Sequence, residues 1–366
     1  MIELGFRSLS SDAGIFVYHK GNTSIIAVIY VDDAIFVGPM KAHVFAMKEA
    51  FMRRWESRDL GELTEFLHMR IERKGSQILI DQCAYLQTVL QRCGMQDVKS
   101  AITPLPANYA PQPAEEQASL ELRSKYQTVI GSLLYLMLGT RPDIAYAVTT
   151  MAKYAANPSQ DHLNRALYIC RYLVGTQDYR LIYDGKTGGG LNAYVDSDWA
   201  ADRTTRKSQT GFYVTLAGGP ISWTSKAQKS VALSSTEAEY MALSDCSRQV
   251  VWIRALMGEL GFGFKKPTPI NGDNQGSIFF AHNPVTEKRS KHIDIRYHYV
   301  REKIEENVVA ISFIEGVKNP ADMFTKNLGH IKFSSCLKEL GLWFAEKPKD
   351  KGKEKQTSSL VKAHPS

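Results

Sequence analysis

Apolar and polar positions alternate at the start of the chain and again beyond residue 190, with a long stretch of three- and four-residue spacing between them. GIFVYH, the turn KGN, TSIIAVIYV and AIFVG read as strands over residues 14–38. MKAHVFAMKEAFMRRWE then has helical spacing, FLHMRIERKGSQILIDQ reads as a strand pair turning at Lys74-Gly75, and a helix is expected near 84–94. KYQTVIGSLLYLMLG, PDIAYAVTTMAKYAA and QDHLNRALYICRYLVG predict helices up to about Gly175. After Gly188-Gly189-Gly190 the pattern changes. LNAYVDSD, TGFYVTLAG and GPISWTS predict strands, and a long helix is expected from about Ser235 to Leu260. A strand before Asp273, a short helix, a helix around IRYHYVREKIEEN, the strand VVAISFIEG and a helix opening at NPADMFTK follow. The order β-β-β-α-β-α-α-β-α describes an antiparallel meander extended by parallel strands, with helices over its faces.

Composition fits two or three ordinary globular domains: 366 residues, 44% hydrophobic and 23% charged. Residues 101–117, AITPLPANYAPQPAEEQ, carry four prolines and few apolar groups, as a linker would. The formal charge of +7 favours a polyanionic partner. The five cysteines (Cys83, Cys93, Cys170, Cys246, Cys336) are odd in number and lack C-x-x-C spacing, so neither a disulfide framework nor a zinc site is expected. The N-terminus lacks the layout of a secretory signal, and no apolar run reaches the roughly 18 residues of a spanning helix. A soluble, intracellular protein with no membrane contact is expected; cytoplasm and nucleus are not distinguished. The tail from Lys347 is polar and lysine-rich, the composition of a disordered segment.

Four carboxylates of the C-terminal half sit where an open sheet converges on one rim. Asp196 closes the first strand, Asp273 ends the strand in PINGDNQ, and Asp322 falls in the first turn of the last helix. In LSSTEAEYMALSDC, Glu237 and Glu239 are two residues apart and point about 200° away from each other, so only one faces the sheet. Glu239, Leu243, Cys246, Val250, Ile253, Met257 and Leu260 form the inward stripe, which selects Glu239. Clustered carboxylates repel unless cations sit among them, and oxygen-only ligands suit Mg²⁺ or Mn²⁺. Singly, each Asp also reads as a turn former or cap; it is the four in this order that favour a metal centre.

YVDSDWA, SWTSKAQKSVALSSTEAEYMAL, GDNQGSI, KHIDIRYHYVRE and NPADMFTK resemble the ribonuclease H domain of copia-type LTR retrotransposon Pol polyproteins, over Leu191 to about Leu328. The resemblance implies a ribonuclease H-like mixed five-stranded sheet with flanking helices. It also implies cleavage of the RNA strand of an RNA–DNA hybrid with two Mg²⁺ or Mn²⁺ ions per site. The same four residues, Asp196, Glu239, Asp273 and Asp322, would be the catalytic metal ligands, and the neighbouring Asp198 would have a minor role at best. The loop EGVKNP lacks the histidine that many cellular ribonucleases H carry before the last helix. Arg289, Lys291 and His292 are candidates for phosphate contact, with a solvated helix entry as the alternative. Asn274 and Gln275 are candidates for the sugar edges of the hybrid, with helix capping as the alternative.

IIAVIYVDDAIFVG resembles the YVDD hairpin of reverse transcriptases, which lifts Asp32 and Asp33 out of the core at a turn tip. LGELTEFLHMRIERKGSQILIDQCAYLQTVLQRCGM and IGSLLYLMLGTRPDIAYAV match the copia-type strands, thumb and connecting region. The expected layout is an α/β chain with a partial reverse transcriptase palm and thumb over 1–98 and a Pro-rich linker over 99–120. A helical thumb or connection region over 121–185, the ribonuclease H domain over 186–332, a terminal helix over 333–346 and a basic tail over 347–366 follow. Asp32 and Asp33 stand as a polymerase remnant, because polymerisation in that family needs an earlier aspartate and fingers. Only Glu3 and Asp12 precede them among the acidic residues. Association with other Pol fragments is an open option, as a source of the missing palm. An inactive relic that only binds nucleic acid is the alternative. An integrase-type core is disfavoured, since its glutamate comes late in the chain.

Overall fold

A computed structural model describes residues 1–185, 190–283 and 291–343. The first module is a four-stranded antiparallel sheet, β1 (Arg7–Ser8), β2 (Ile15–Lys20), β3 (Thr23–Tyr30) and β4 (Asp33–Val37), paired in chain order. One face carries a small core of Phe6, Ile25 and Ala27, with Phe36 and Met47 packed on it. Met47 comes from helix α1 (Lys41–Met52).

The second module begins with β5 (Glu65–Phe66), β6 (Met69–Lys74) and β7 (Gln77–Asp81), followed by α2 (Cys83–Arg92). Residues 93–119 contain neither helix nor strand, yet Ala101, Thr103 and Leu105 are buried there. The prolines suppress regular structure without preventing packing, because the apolar residues between them find a core. Helices α3 (Leu120–Gly139), α4 (Ala145–Ala152) and α5 (Gln160–Val174) then form that core with α2. Ser119 caps α3, its hydroxyl accepting from the Leu122 N–H at 3.2 Å. A strand absent from the periodicity, β8 (Arg180–Tyr183), follows α5 and pairs antiparallel with β7, Ile80 facing Leu181. Four residues are too short to display alternation, and their partners lie about a hundred residues earlier.

The third module is a five-stranded mixed sheet. Its strands are β9 (Asn192–Asp198), β10 (Gln209–Leu216), β11 (Gly219–Ala227), β12 (Thr268–Gly272) and β13 (Val309–Phe313). Their spatial order is β11-β10-β9-β12-β13, antiparallel on the β9–β11 side and parallel on the other. Helices α6 (Ser235–Glu259), α7 (Gln275–His282) and α8 (Lys291–Glu305) occupy the connections. This is the ribonuclease H-like arrangement expected. Ala193 and Val195 of β9 pack with Leu243, Cys246, Val250 and Ile253 of α6 in one core. Tyr194, one residue out of phase, turns to the opposite face and packs beside Tyr213 and Phe324 in the helical core. The central sheet is thus covered on both sides, which its nearly continuous apolar strands require. Helix α9 (His330–Glu339) and the short β14 (Leu342–Trp343) end the described chain, and β14 pairs with β8. One sheet, β14-β8-β7-β6-β5, therefore joins residues from three segments of the chain.

NPADMFTK differs from expectation. It forms a 3₁₀ turn, Pro320–Phe324, separated from α9, and not the first turn of the last α-helix. The Asn319 side chain accepts from Ala321 N–H at 3.1 Å and Pro320 presets the first dihedral. The Thr325 hydroxyl returns to the Asp322 carbonyl at 3.1 Å, closing the turn before an α-helix develops.

Candidate metal centre

Asp196 lies near the end of β9 and is buried, with 1% of its surface exposed. Gly211 stands opposite it on β10. A Cβ there would come within 2.6 Å of Thr325 Cγ2 and 2.7 Å of Phe324 Cβ, so glycine lets the 3₁₀ turn press against the sheet. Asn319, fully buried, donates from Nδ2 to the Val195 carbonyl at 3.0 Å and ties the same turn to β9. Two backbone devices thus bring Asp322 to Asp196. Asp273 arrives independently, in the residue after β12, which lies parallel to β9.

Carboxylate oxygens of Asp196, Asp273 and Asp322 all lie within 4.8 Å of one another, a spacing that one divalent ion could bridge. Glu239 stands at the edge of this triad. Its Oε1 accepts from the Ser197 N–H at 3.2 Å, reaching the strand end from α6. Glu237 instead caps α6. Its backbone N–H donates to Ser234 Oγ at 3.1 Å, and its Oε2 accepts from Leu233 N–H at 3.0 Å. It too is buried, as are Met241 and Ser244 on the same face.

The electrostatics are dominated by burial of the acids. Burial pushes the Asp196 carboxyl up to about 7, with Asp322 and Asp273 adding repulsion against the pull of Lys326 and Thr325. Burial also raises Glu239 well above the usual carboxylate range, reinforced by Asp196 and Asp273. Asp273 is raised by burial and by Asp322. Asp198, half-buried next door, is raised by burial and by Asp322.

Two lysines and a threonine that sequence reasoning passed over complete the centre. The Thr325 hydroxyl donates to Asp196 Oδ2. Lys326 Nζ lies 2.7 Å from Asp322 Oδ1 and 3.2 Å from Asp196 Oδ2. Lys332 Nζ is 3.2 Å from Asp322 Oδ2 and donates to the Gly316 and Val317 carbonyls at 2.8 and 2.6 Å. Lys332 thereby ties α9 to the loop that lacks the histidine. Thr325 and Lys326 lie three and four residues after Asp322, a spacing that folds back on one turn and was visible in NPADMFTK.

Other candidate residues fall elsewhere. Asp32 and Asp33 are exposed at the β3–β4 turn, where Tyr30 pairs with Asp33 around Val31-Asp32 and Val31 has φ of 52°. Among the described residues, no third acidic or metal-ligating side chain joins them. Asn274 caps α7, accepting from Ser277 N–H at 2.8 Å, and Gln275 is exposed at the start of that helix. Arg289 lies outside the described residues. Lys291 and His292 open α8, and their side chains are likewise outside the description. No helix among the described residues is long and apolar enough to cross a membrane.

The fold is ribonuclease H-like, a mixed five-stranded sheet with flanking helices, and it carries an all-oxygen cluster. Residues 1–107 match the reverse transcriptase (RNA-dependent DNA polymerase) family profile. The chain is 36% identical over 344 residues to the retrovirus-related Pol polyprotein from transposon TNT 1-94 of Nicotiana tabacum, covering 92% of this chain and 26% of that one. It is 33% identical over 345 residues to the Pol polyprotein from transposon RE1 of Arabidopsis thaliana, covering 93% and 23%. It thus spans about a quarter of the length of these relatives. Among solved structures, LC11-RNase H1 in complex with RNA/DNA hybrid aligns with a TM-score of 0.29 at 15% identity, covering 37% of this chain and 93% of that one. The chain is a retrotransposon-derived Pol fragment related to copia-type plant transposons, with reverse transcriptase-like homology in its N-terminal part.

Proposed function

We propose that this chain hydrolyses the RNA strand of RNA–DNA hybrids at the Asp196 centre. The observation that carries the proposal is the convergence of Asp196, Asp273 and Asp322 within 4.8 Å, from a strand, a strand end and a separate turn. The donor set fits hard divalent cations, since every group offers a carboxylate oxygen and the three meet within 4.8 Å. When bound, a pair of Mg²⁺ or Mn²⁺ ions would supply activation of water and stabilisation of the leaving oxygen. Asp196, Asp273 and Asp322, with Glu239 beside them, are the residues that would hold the ions. Thr325 fixes the Asp196 carboxylate and Asn319 fixes the strand beneath it, so the ligands are held before the substrate arrives. Water attacks in line, and the products carry 3′-hydroxyl and 5′-phosphate ends. The net charge of +7 supports a salt-sensitive hold on the hybrid's phosphates.

The nucleic-acid-binding relic is a second reading, and the lysines already paired with the carboxylates are what favours it. A labelled RNA–DNA hybrid incubated with Mg²⁺, against an EDTA control, separates the two. Cleavage that depends on Mg²⁺ is expected. In Asp196→Asn or Asp273→Asn it should fall by more than about 100-fold, beyond the 10–100-fold typical of residues that only orient a ligand. Full activity in either variant would refute the site assignment.

A further inference from the structure

Lys326 carries more than a surface ion pair. Its ammonium touches an oxygen of Asp322 at 2.7 Å and both oxygens of Asp196, at 3.2 and 3.4 Å. A point in contact with both carboxylates is where an ion shared by the two would sit. The side chain starts four residues beyond Asp322, on a turn pinned by Asn319 and Thr325, so its reach to that point is set by local geometry. Lys332 differs: two backbone carbonyls hold it at the outer oxygen of Asp322, away from Asp196.

We propose that Lys326 is a resident counter-ion occupying the cation position between Asp196 and Asp322, and that a divalent ion enters this position only by displacing it. The inference rests on reading the cluster as a metal centre. Without ions, the lysine holds the buried acids together and keeps the turn seated on β9. When metal enters, the ammonium is released towards solvent, to which 38% of the side chain's surface is already exposed. Metal affinity is therefore lower than the same four carboxylates would give alone. An opposite charge within about 4–6 Å biases a carboxylate by one to three powers of ten, which sets the scale of the competition.

The test is Mn²⁺ and Mg²⁺ binding by calorimetry and Mn²⁺ paramagnetic resonance, with thermal melts in EDTA and in saturating Mg²⁺, at constant ionic strength. Lys326→Met keeps the aliphatic stem and removes the charge, and Lys326→Arg keeps the charge. The Met variant should bind at least one ion about tenfold tighter than the unsubstituted chain, while the Arg variant should not. In EDTA the Met variant should melt below the unsubstituted chain, and Mg²⁺ should close or invert that gap. A lysine with a merely structural role would lower melting equally in both conditions. Unchanged or weaker ion binding by Lys326→Met, or no saturable binding by any of the three proteins, overturns the proposal. Tighter binding without hybrid cleavage in any protein would instead remove the hydrolase reading and leave the counter-ion standing.

Discussion

At the scale of single residues, the centre is built against its own stability. Asp196 is an acid whose folded pKa, about 7, lies above its ordinary value of 3.8 because it is buried among other acids. The folded state therefore holds the proton more tightly than the unfolded chain, and stability declines as pH rises from about 3.8 towards about 7. Removing the charge relieves this. In EDTA at pH 8, Asp196→Asn should melt higher than the unsubstituted chain by roughly 2 °C or more, the shift that about 1 kcal/mol gives in a large domain. Adding Mg²⁺ should raise the melting of the unsubstituted chain and leave the variant unmoved, as ligand linkage requires. Lower melting of Asp196→Asn in EDTA would show that Thr325 and Lys326 already stabilise the carboxylate more than burial opposes it.

At the scale of elements, packing of one turn decides the geometry. Gly211→Ala inserts a methyl group against Thr325 and Phe324, where contacts of 2.6 and 2.7 Å cannot be met without moving the turn. Overpacking of this kind costs about 1–3 kcal/mol. Because the moved turn carries Asp322, Mg²⁺ affinity should fall along with the melting temperature, although Gly211 offers no ligand. A second element, α5, carries a pH dependence of the opposite sign. His162 is buried, stacks on Tyr154 with ring centroids 4.0 Å apart, and accepts from Ser159 N–H on Nδ1 at 2.9 Å. Burial lowers its pKa below 6.5, so the neutral ring is the folded form. As pH falls through about 6.5 the unfolded chain takes up the proton first, and stability is lost. His162→Gln retains an S-x-x-Q capping box without a titrating group. The difference in melting temperature between pH 7.5 and pH 5.5 should be smaller in that variant. Sequence periodicity locates helices such as α5 and α6 because each turns a long stripe inward. It misses β8, whose four residues are a strand only through pairing with β7. It also misassigns the turn at Asp322, where a cap, a proline and a threonine outweigh helical spacing.

At the scale of the whole molecule, the two acidic motifs that look alike in sequence have different surroundings. YVDSD lies in the middle strand of a sheet covered on both faces, and residues from β12 and the 3₁₀ turn bring it partners. IYVDD lies at an exposed hairpin tip, and the four-stranded sheet beneath it buries only a small core. The sequence shows where each pair of acids stands along a strand, but whether others meet it depends on contacts with residues far along the chain, as Asp273 and Asp322 are from Asp196. Asp32 and Asp33 have no third metal-ligating neighbour among the described residues. The two motifs should accordingly part company in assay. The purified 366-residue chain should cleave the RNA of a hybrid yet show no extension of a primer on an RNA template, with Mg²⁺ or Mn²⁺. Asp32→Asn with Asp33→Asn should leave cleavage within about twofold, since exposed substitutions away from packed features cost little. Primer extension above the level of a heat-inactivated control would show that the exposed pair acquires its missing ligand from substrate or from a second copy.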